Sequence, residues 1–457
     1  MTINRILSDG ATSGADSVKA RHGRHGLAPV YPALRLDLNV VHVAAAAVRL
    51  VANDPARWRS DVERSWSGGE AVAFLSVRSA FTALLEALDW PARSEILITG
   101  INIADVARII GSFGHVAVPI DLAPSTLTPD PAEVEAMIGP ATRGLMVAHL
   151  FGGHLDMVPL LDLARRHNLI VLEDCAQAYT TRQACEPRQC DVRLFSFGLL
   201  KTGTALGGAI AEVADPLLRE AMRNVQGGWP VQARFAHAVK VAKAFMFLLL
   251  QRPMAYSAFS RLCVASGSSS GMVLRKWTRG FGNGDVVSLL KAVRQRPCAP
   301  LLAMLAWRLS NEDGQRVTRR KATGEKMMAS LAGLSGAGLI LLGNDQDRHS
   351  HWLMPVCVSD PAELRDKLTR AGFDAHAASN VVAIGGSRVA AMIRGLVFLP
   401  CYPEMKEAAL DLMCTTVHAH CTAQRRGGYG LGRHSPPSRS STSSKSQTFP
   451  ALEKDAL

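Results

Sequence analysis

Two residues of this 457-residue chain stand where they could do chemistry. Asp174 closes the run Leu169-Ile170-Val171-Leu172-Glu173, an apolar stretch that reads as a buried strand. A carboxylate at the carboxyl end of a parallel strand lies where open α/β sheets bind ligands, although it could equally cap the next turn. Lys201 lies in DVRLFSFGLLKTGTALGG (191–208), where the strand-like Leu194-Phe195-Ser196-Phe197 runs into a glycine-punctuated loop. A lone lysine near a strand end can snorkel to solvent. Desolvated instead, its amine loses basicity and can form a Schiff base with a carbonyl. Gly203, Gly207 and Gly208 would let the backbone approach a ligand closely.

The elements that must hold these residues follow from the hydrophobic pattern. Ser79–Leu88, Asp105–Phe113, Pro131–Ile138 and Val158–His167 carry apolar residues at helical spacing. Glu95–Thr99, His115–Ile120, Gly144–Leu150 and Leu169–Leu172 read as short strands between them. That alternation predicts an α/β fold with a mainly parallel central sheet covered on both faces. The predicted division is a loose arm over 1–35, a large α/β domain over 36–215, a helix-rich linking region over 216–345, a small C-terminal α/β domain over 346–422 and a disordered tail over 423–457. In the small domain, His351–Val358 and Leu396–Leu399 are the expected strands, and Pro361–Ala371 and Glu404–His418 the helices.

Composition narrows the classes. Hydrophobic residues at 48% and charged ones at 20% describe an ordinary globular chain. The net charge of +12 favours anionic partners, but the basic residues are dispersed and no nucleic-acid motif accompanies them, so nucleic acid is not an expected partner. Nine scattered cysteines read as reduced thiols in a cytoplasmic protein. Cys185 and Cys190 lack a second ligand pair, so no metal site is expected. Val40–Val51, interrupted by His42 and Arg49, and Ala244–Leu250 are too short for transmembrane spans.

Taken in order, the motifs resemble the DegT/DnrJ/EryC1/StrS aminotransferase family. The resemblance rests on Glu173-Asp174-Cys175-Ala176-Gln177 within HLFGGHLDMVPLLDLARRHNLIVLEDCAQAY (149–179), and on Ser196-Phe197-Gly198-Leu199-Leu200-Lys201 with the glycines that follow. RSAFTALLEAL (78–88) and FLPCYPEM (398–405) extend it. It implies the fold-type-I frame of pyridoxal 5'-phosphate enzymes, with a smaller C-terminal α/β domain. Lys201 would carry the cofactor as a Schiff base and shuttle a proton, and Asp174 would pair with the pyridine nitrogen. Gln177 would hydrogen-bond the ring hydroxyl and Ser196 the phosphate. Ser79 and Ala80, at a helix N-terminus, would also meet the phosphate.

Two departures accompany the resemblance. Ile103 stands about where relatives place an aromatic side chain over the cofactor ring. Relatives also carry a G-x-N-x-R-like segment within 224–300, for which GFGNGD (280–285), with Asn283, is the nearest candidate. The basic, apolar run ARFAHAVKVAKAFMFLLLQRP (233–253) occupies that region and could be core helix, a subunit contact or a membrane-surface face. Arg294 and Arg296 could hold a diphosphate or be solvated surface charges. The implied activity is transfer of an amino group from an amino acid, expected to be glutamate, to a keto sugar, nucleotide-linked, by a homodimer. The alternatives are other chemistry on the same cofactor, such as sugar dehydration, and a non-catalytic homologue. Family dehydratases replace the lysine, so Lys201 favours transfer.

Overall fold

The computed structural model describes residues 30–426, apart from 68–69, 186–187, 269, 279–284, 347 and 378–380. Its centre is a seven-stranded sheet: β1 (Ala71–Phe74), β2 (Glu95–Thr99), β3 (Val116–Ile120), β4 (Thr142–Ala148), β5 (Ile170–Asp174), β6 (Val192–Ser196) and β7 (Ala209–Val213). The spatial order is β1-β7-β6-β5-β4-β2-β3. Strands β3, β2, β4, β5 and β6 run parallel, while β7 is antiparallel to both β6 and β1.

Side chains alternate across each strand, so a sheet covered on both faces needs apolar residues at every position. Leu145 and Val147 of β4 join Leu97 and Val171 in one cluster, against Leu160 and Leu163 of the helix Val158–Arg166. Met146, on the other face, joins Ile96, Ile98, Leu172 and Leu194, against Phe81 and Leu84 of the helix Val77–Leu88. Register aligns Ala148 with Asp174, and Asp174 with Leu194, which brings Asp174 to the carboxyl edge of the sheet.

A smaller antiparallel sheet follows, with β8 (Ile340–Leu341), β9 (Met354–Cys357), β10 (His376–Ala377) and β11 (Leu396–Leu399) in the order β8-β9-β11-β10. Helices Pro361–Arg370 and Glu407–Arg426 pack on it through Leu364, Leu368, Met413 and Val417. Three boundaries differ from the sequence reading. β8 joins this sheet upstream of 346, by pairing with Val356 and Cys357. Residues 423–426 continue the last helix, where Gln424 donates to Glu363 Oε2 at 3.3 Å. Tyr31, assigned to the loose arm, bridges Phe373: its N–H donates to Gly372 O at 2.8 Å, and the two rings stack 5.6 Å apart. Residues 1–29 of the arm, most of the tail and the Asn283 candidate lie outside the described residues. Among the described residues, no helix is long and apolar enough to cross a membrane, and all nine cysteines are free.

Candidate active site

β5 and β6 deliver the two chemical residues to the same edge of the sheet. Asp174 ends β5, and its Oδ1 accepts the Ala176 N–H at 2.9 Å, a turn that fixes the carboxylate's orientation. Burial raises its carboxyl above the ordinary value, opposed by the Ala176 N–H and by the charges of Lys201, His149 and Arg78. Five residues beyond β6, Lys201 lies close enough to Asp174 and Arg78 for both charges to act on its amine. Desolvation, aided by Arg78 and opposed by Asp174, brings that amine down to about 8. The amine sits 4.3 Å from the centroid of the Trp352 ring, and the Trp352 indole N–H donates to Leu200 O at 3.0 Å. A cation over an indole face is favoured, so Trp352 both covers the lysine and clamps its loop.

Trp352 reaches this position through a close crossing of two loops. Ser350 N donates to Gly152 O at 2.7 Å and Leu353 N to Phe151 O at 3.0 Å. Gly152 has φ +107, and a Cβ there would lie 2.6 Å from Trp352 N, so the position excludes any side chain. Gln177 is held from the same side: its Oε1 accepts the Phe151 N–H at 3.0 Å, which leaves its NH2 group to donate. Behind it, His149 Nδ1 accepts the Leu155 N–H at 3.1 Å. The ring proton is therefore on Nε2, which donates to Glu173 at 3.0 Å. Burial pushes Glu173 up, but the hydrogen bond from His149, with Cys190 and Arg193 beside it, outweighs burial and holds the carboxyl below its ordinary value. His149, Glu173 and Cys175 bring ligand-type atoms within 4.8 Å of one another, yet both imidazole nitrogens are already engaged. Those hydrogen bonds tie the end of the strand to the Leu155 loop.

The helix Val77–Leu88 points its N-terminus into this region. Ser76 is its cap: the Ser76 hydroxyl accepts the Ser79 N–H at 3.1 Å and lies 2.9 Å from the Ser79 hydroxyl, and Ser76 O accepts the Ala80 N–H at 3.0 Å. Ser79 and Ala80 are thus in the first turns as expected, but their backbone donors are satisfied within the helix. Ser196 ends β6, and Ile103 caps the helix Ala104–Ser112 without a side-chain bond; both are half-buried.

The glycine segment corrects one expectation. A Cβ on Gly203, Gly207 or Gly208 would meet Tyr179 at 3.2 Å, Lys240 Nζ at 3.3 Å or Leu305 at 3.2 Å. These glycines admit the protein's own side chains, not a ligand. Gly203 N–H donates to Asp37 at 2.6 Å, and Asp37 also pairs with Arg308 at 3.0 Å and Arg316 at 2.9 Å. Of the two arginines weighed for a diphosphate, Arg294 pairs with Glu86 at 3.1 Å. Arg296 lines a separate cleft of about 390 Å³ with Arg59, Arg223 and Glu63. Ser76, Arg78, Trp352 and the His149–Glu173 pair were not assigned roles from sequence. Only the cap carried a local signal, a serine just before an apolar helical run.

The mainly parallel seven-stranded sheet with its smaller antiparallel partner is a fold shared with solved structures. Residues 64–240, which include Asp174, Gln177, Ser196 and Lys201, match the model of the DegT/DnrJ/EryC1/StrS aminotransferase family. L-Glutamine:2-deoxy-scyllo-inosose aminotransferase of Micromonospora echinospora is 29% identical over 42% of this chain and 45% of its own length. GDP-perosamine synthase of Caulobacter vibrioides is 33% identical over 34% of this chain and 43% of its own length. The chain thus spans less than half the length of either relative. The crystal structure of DesV of S. venezuelae matches the fold with a TM-score of 0.60 at 22% identity, covering 86% of this chain and 99% of that one. A GDP-4-keto-6-deoxy-D-mannose-3-dehydratase of E. coli matches with 0.61 at 12% identity, covering 85% and 99%.

Proposed function

We propose that this protein is a pyridoxal-phosphate-dependent aminotransferase that moves an amino group from an amino acid to a keto sugar in amino-sugar biosynthesis. The observation that carries the reading is Lys201, desolvated beside Asp174 at the carboxyl edge of the sheet with its amine lowered to about 8. The donor set fits the cofactor: a buried amine, an adjacent carboxylate with one oxygen uncommitted to Ala176, an amide NH2 at Gln177 and a helix N-terminus at Ser76. Pyridoxal phosphate, when bound, supplies a carbonyl for the amine and a ring that accepts electrons from the substrate carbon.

The protein's own groups do the remaining work. Lys201 holds the cofactor and, once released, takes and returns the proton at the substrate carbon. Asp174 keeps a positive charge at the ring nitrogen, for which its buried, oriented carboxylate is suited. Gln177 would donate to the ring oxygen, while Ser196, Ser79 and the N-terminus of the Val77–Leu88 helix would hold the phosphate. Ile103 would cover the ring with an aliphatic side chain. Trp352 excludes water from the lysine.

Glutamate is the expected donor, and a relative named as glutamine-dependent extends the test to glutamine. The acceptor is a keto sugar, nucleotide-linked, in line with the relative named for a GDP sugar. Subunits pair as a homodimer in this reading. Release of the donor's keto acid, with parallel-line kinetics when donor and acceptor are both varied, is the expected result. Lys201→Ala should lower turnover by at least about 10²–10⁴-fold, the scale of a lost general acid–base. Sugar deoxygenation without release of keto acid would instead place the protein with the dehydratases.

A further inference from the structure

The chain leaves the body of the protein at Val231 and returns at Arg296, and the two ends are clasped. Val231 and Arg296 form a bridge in which Gln232 N donates to Arg296 O at 2.9 Å and Arg296 N to Pro230 O at 2.8 Å. The excursion between them opens with the helix Arg234–Leu250, which is apolar on two sides. One side, His237, Val241, Ala244 and Phe247, is buried. The other exposes Phe235 (79%), Phe245 (56%), Met246 (37%) and Leu249 (55%). At 3.6 residues per turn these four fall within a stripe of roughly one third of the circumference.

The neighbouring helix Val40–Val48 runs antiparallel to it. The Arg234 guanidinium donates to Leu50 O at 2.8 Å, and at the opposite end Gln251 donates to Leu36 O at 3.3 Å. This second helix exposes Val40 (71%), Val41 (63%) and Val48 (70%), followed by Val51 (77%). Helix Pro253–Ala265 adds Met254 and Leu262. Isolated exposed apolar residues need no explanation, but a contiguous set of this size marks an interaction surface.

Charge identifies the partner. Between Glu220 and Asp285 the sequence has no acidic residue and nine basic ones, among them Arg234, Lys243, Arg252 and Arg261. Between Asp37 and Asp54 there is again no acidic residue. The carboxylates Asp313 and Glu404 line a cleft beside Val40, Leu248 and Arg252 and are already engaged by Arg316. A second copy docking by two-fold symmetry would therefore set this basic face largely against itself. An apolar stripe flanked mainly by lysine and arginine is instead the pattern of helices lying on an anionic bilayer.

We propose that the face formed by helices Val40–Val48, Arg234–Leu250 and Pro253–Ala265 docks on an anionic lipid bilayer, with the protein lying on the surface. The full-length protein would be sedimented with vesicles of phosphatidylcholine alone, and with vesicles containing about 30% phosphatidylglycerol. Binding to the anionic vesicles only, weakened by salt, is expected. The double variant Phe245→Asp/Leu249→Asp should lower the partition coefficient at least tenfold, and Lys243→Glu/Arg252→Glu should do the same. All four positions lie outside the lysine site, so the cofactor spectrum of each variant checks that it folds. Wild-type protein that stays in the supernatant with anionic vesicles at low salt would overturn the proposal. So would binding that survives both double variants. Light scattering supplies the remaining outcome: a wild-type dimer that the aspartate pair splits into monomers would make this face a subunit contact and overturn lipid docking.

Discussion

The Lys201 amine is pulled in two directions. Desolvation and Arg78 disfavour its charged form, while Asp174 favours it, and the balance falls near 8 rather than 10.5. Only the neutral amine attacks a carbonyl. The rate at which apo-protein captures pyridoxal phosphate is therefore expected to climb with pH up to about 8 and level off above it, whereas an ordinary lysine would keep gaining to about 10.5. Arg78→Gln removes one neighbouring positive charge, so the midpoint should move to higher pH. Stopped-flow absorbance across the pH range reads both effects. The places of Asp174 and Lys201, at and beyond two strand ends, were legible from the apolar runs before them, whereas their proposed roles came only from the resemblance. Trp352 was not legible: its contact with Lys201 exists only because a loop of the small domain crosses Phe151-Gly152.

Among the elements, the helix Val77–Leu88 carries the most consequence for its size. Ser76 satisfies the first turn from outside, so Ser76→Ala should cost about 1 kcal/mol of stability. It should also loosen the helix end proposed to hold the phosphate. Urea unfolding measures the first effect, and the dissociation constant of pyridoxal phosphate the second. Strands β2, β4 and β5 were readable because burial on both faces demands continuous apolar runs. β1 and β7 escaped notice: AVAF and AIAEV are short and alanine-rich, and antiparallel pairing to each other, with β6 beyond, makes them strands. The glycines after Lys201 were read correctly as close approaches but assigned the wrong neighbour, since sequence cannot say whether a ligand or Lys240 fills the space.

Across the whole molecule, Asp37 ties the parts together. It accepts from Gly203 in the lysine loop and pairs with Arg308 and Arg316 of the linking helices. Burial raises its carboxyl, but Arg308, Arg316, the Gly203 N–H and Arg320 hold it below its ordinary value. A carboxylate lowered by folding contributes stability that is complete above its unfolded value, about 3.9, and lost as pH falls through the folded value. Asp37→Ala leaves the buried Arg308 guanidinium without its carboxylate, while Arg316 keeps Glu404, and should cost about 3–5 kcal/mol. Its denaturation midpoint should fall at neutral pH, and the gap from wild type should narrow in acid. An unchanged midpoint would show that the triad does not join the domains.

The visible absorption spectrum of the purified protein with added pyridoxal phosphate tests the central claim most directly, run for wild type and Lys201→Ala, before and after glutamate or glutamine. A band that requires Lys201 and that the amino donor bleaches is expected. A wild-type spectrum identical to that of Lys201→Ala, or a band that neither donor alters, would contradict an aminotransferase built on this lysine.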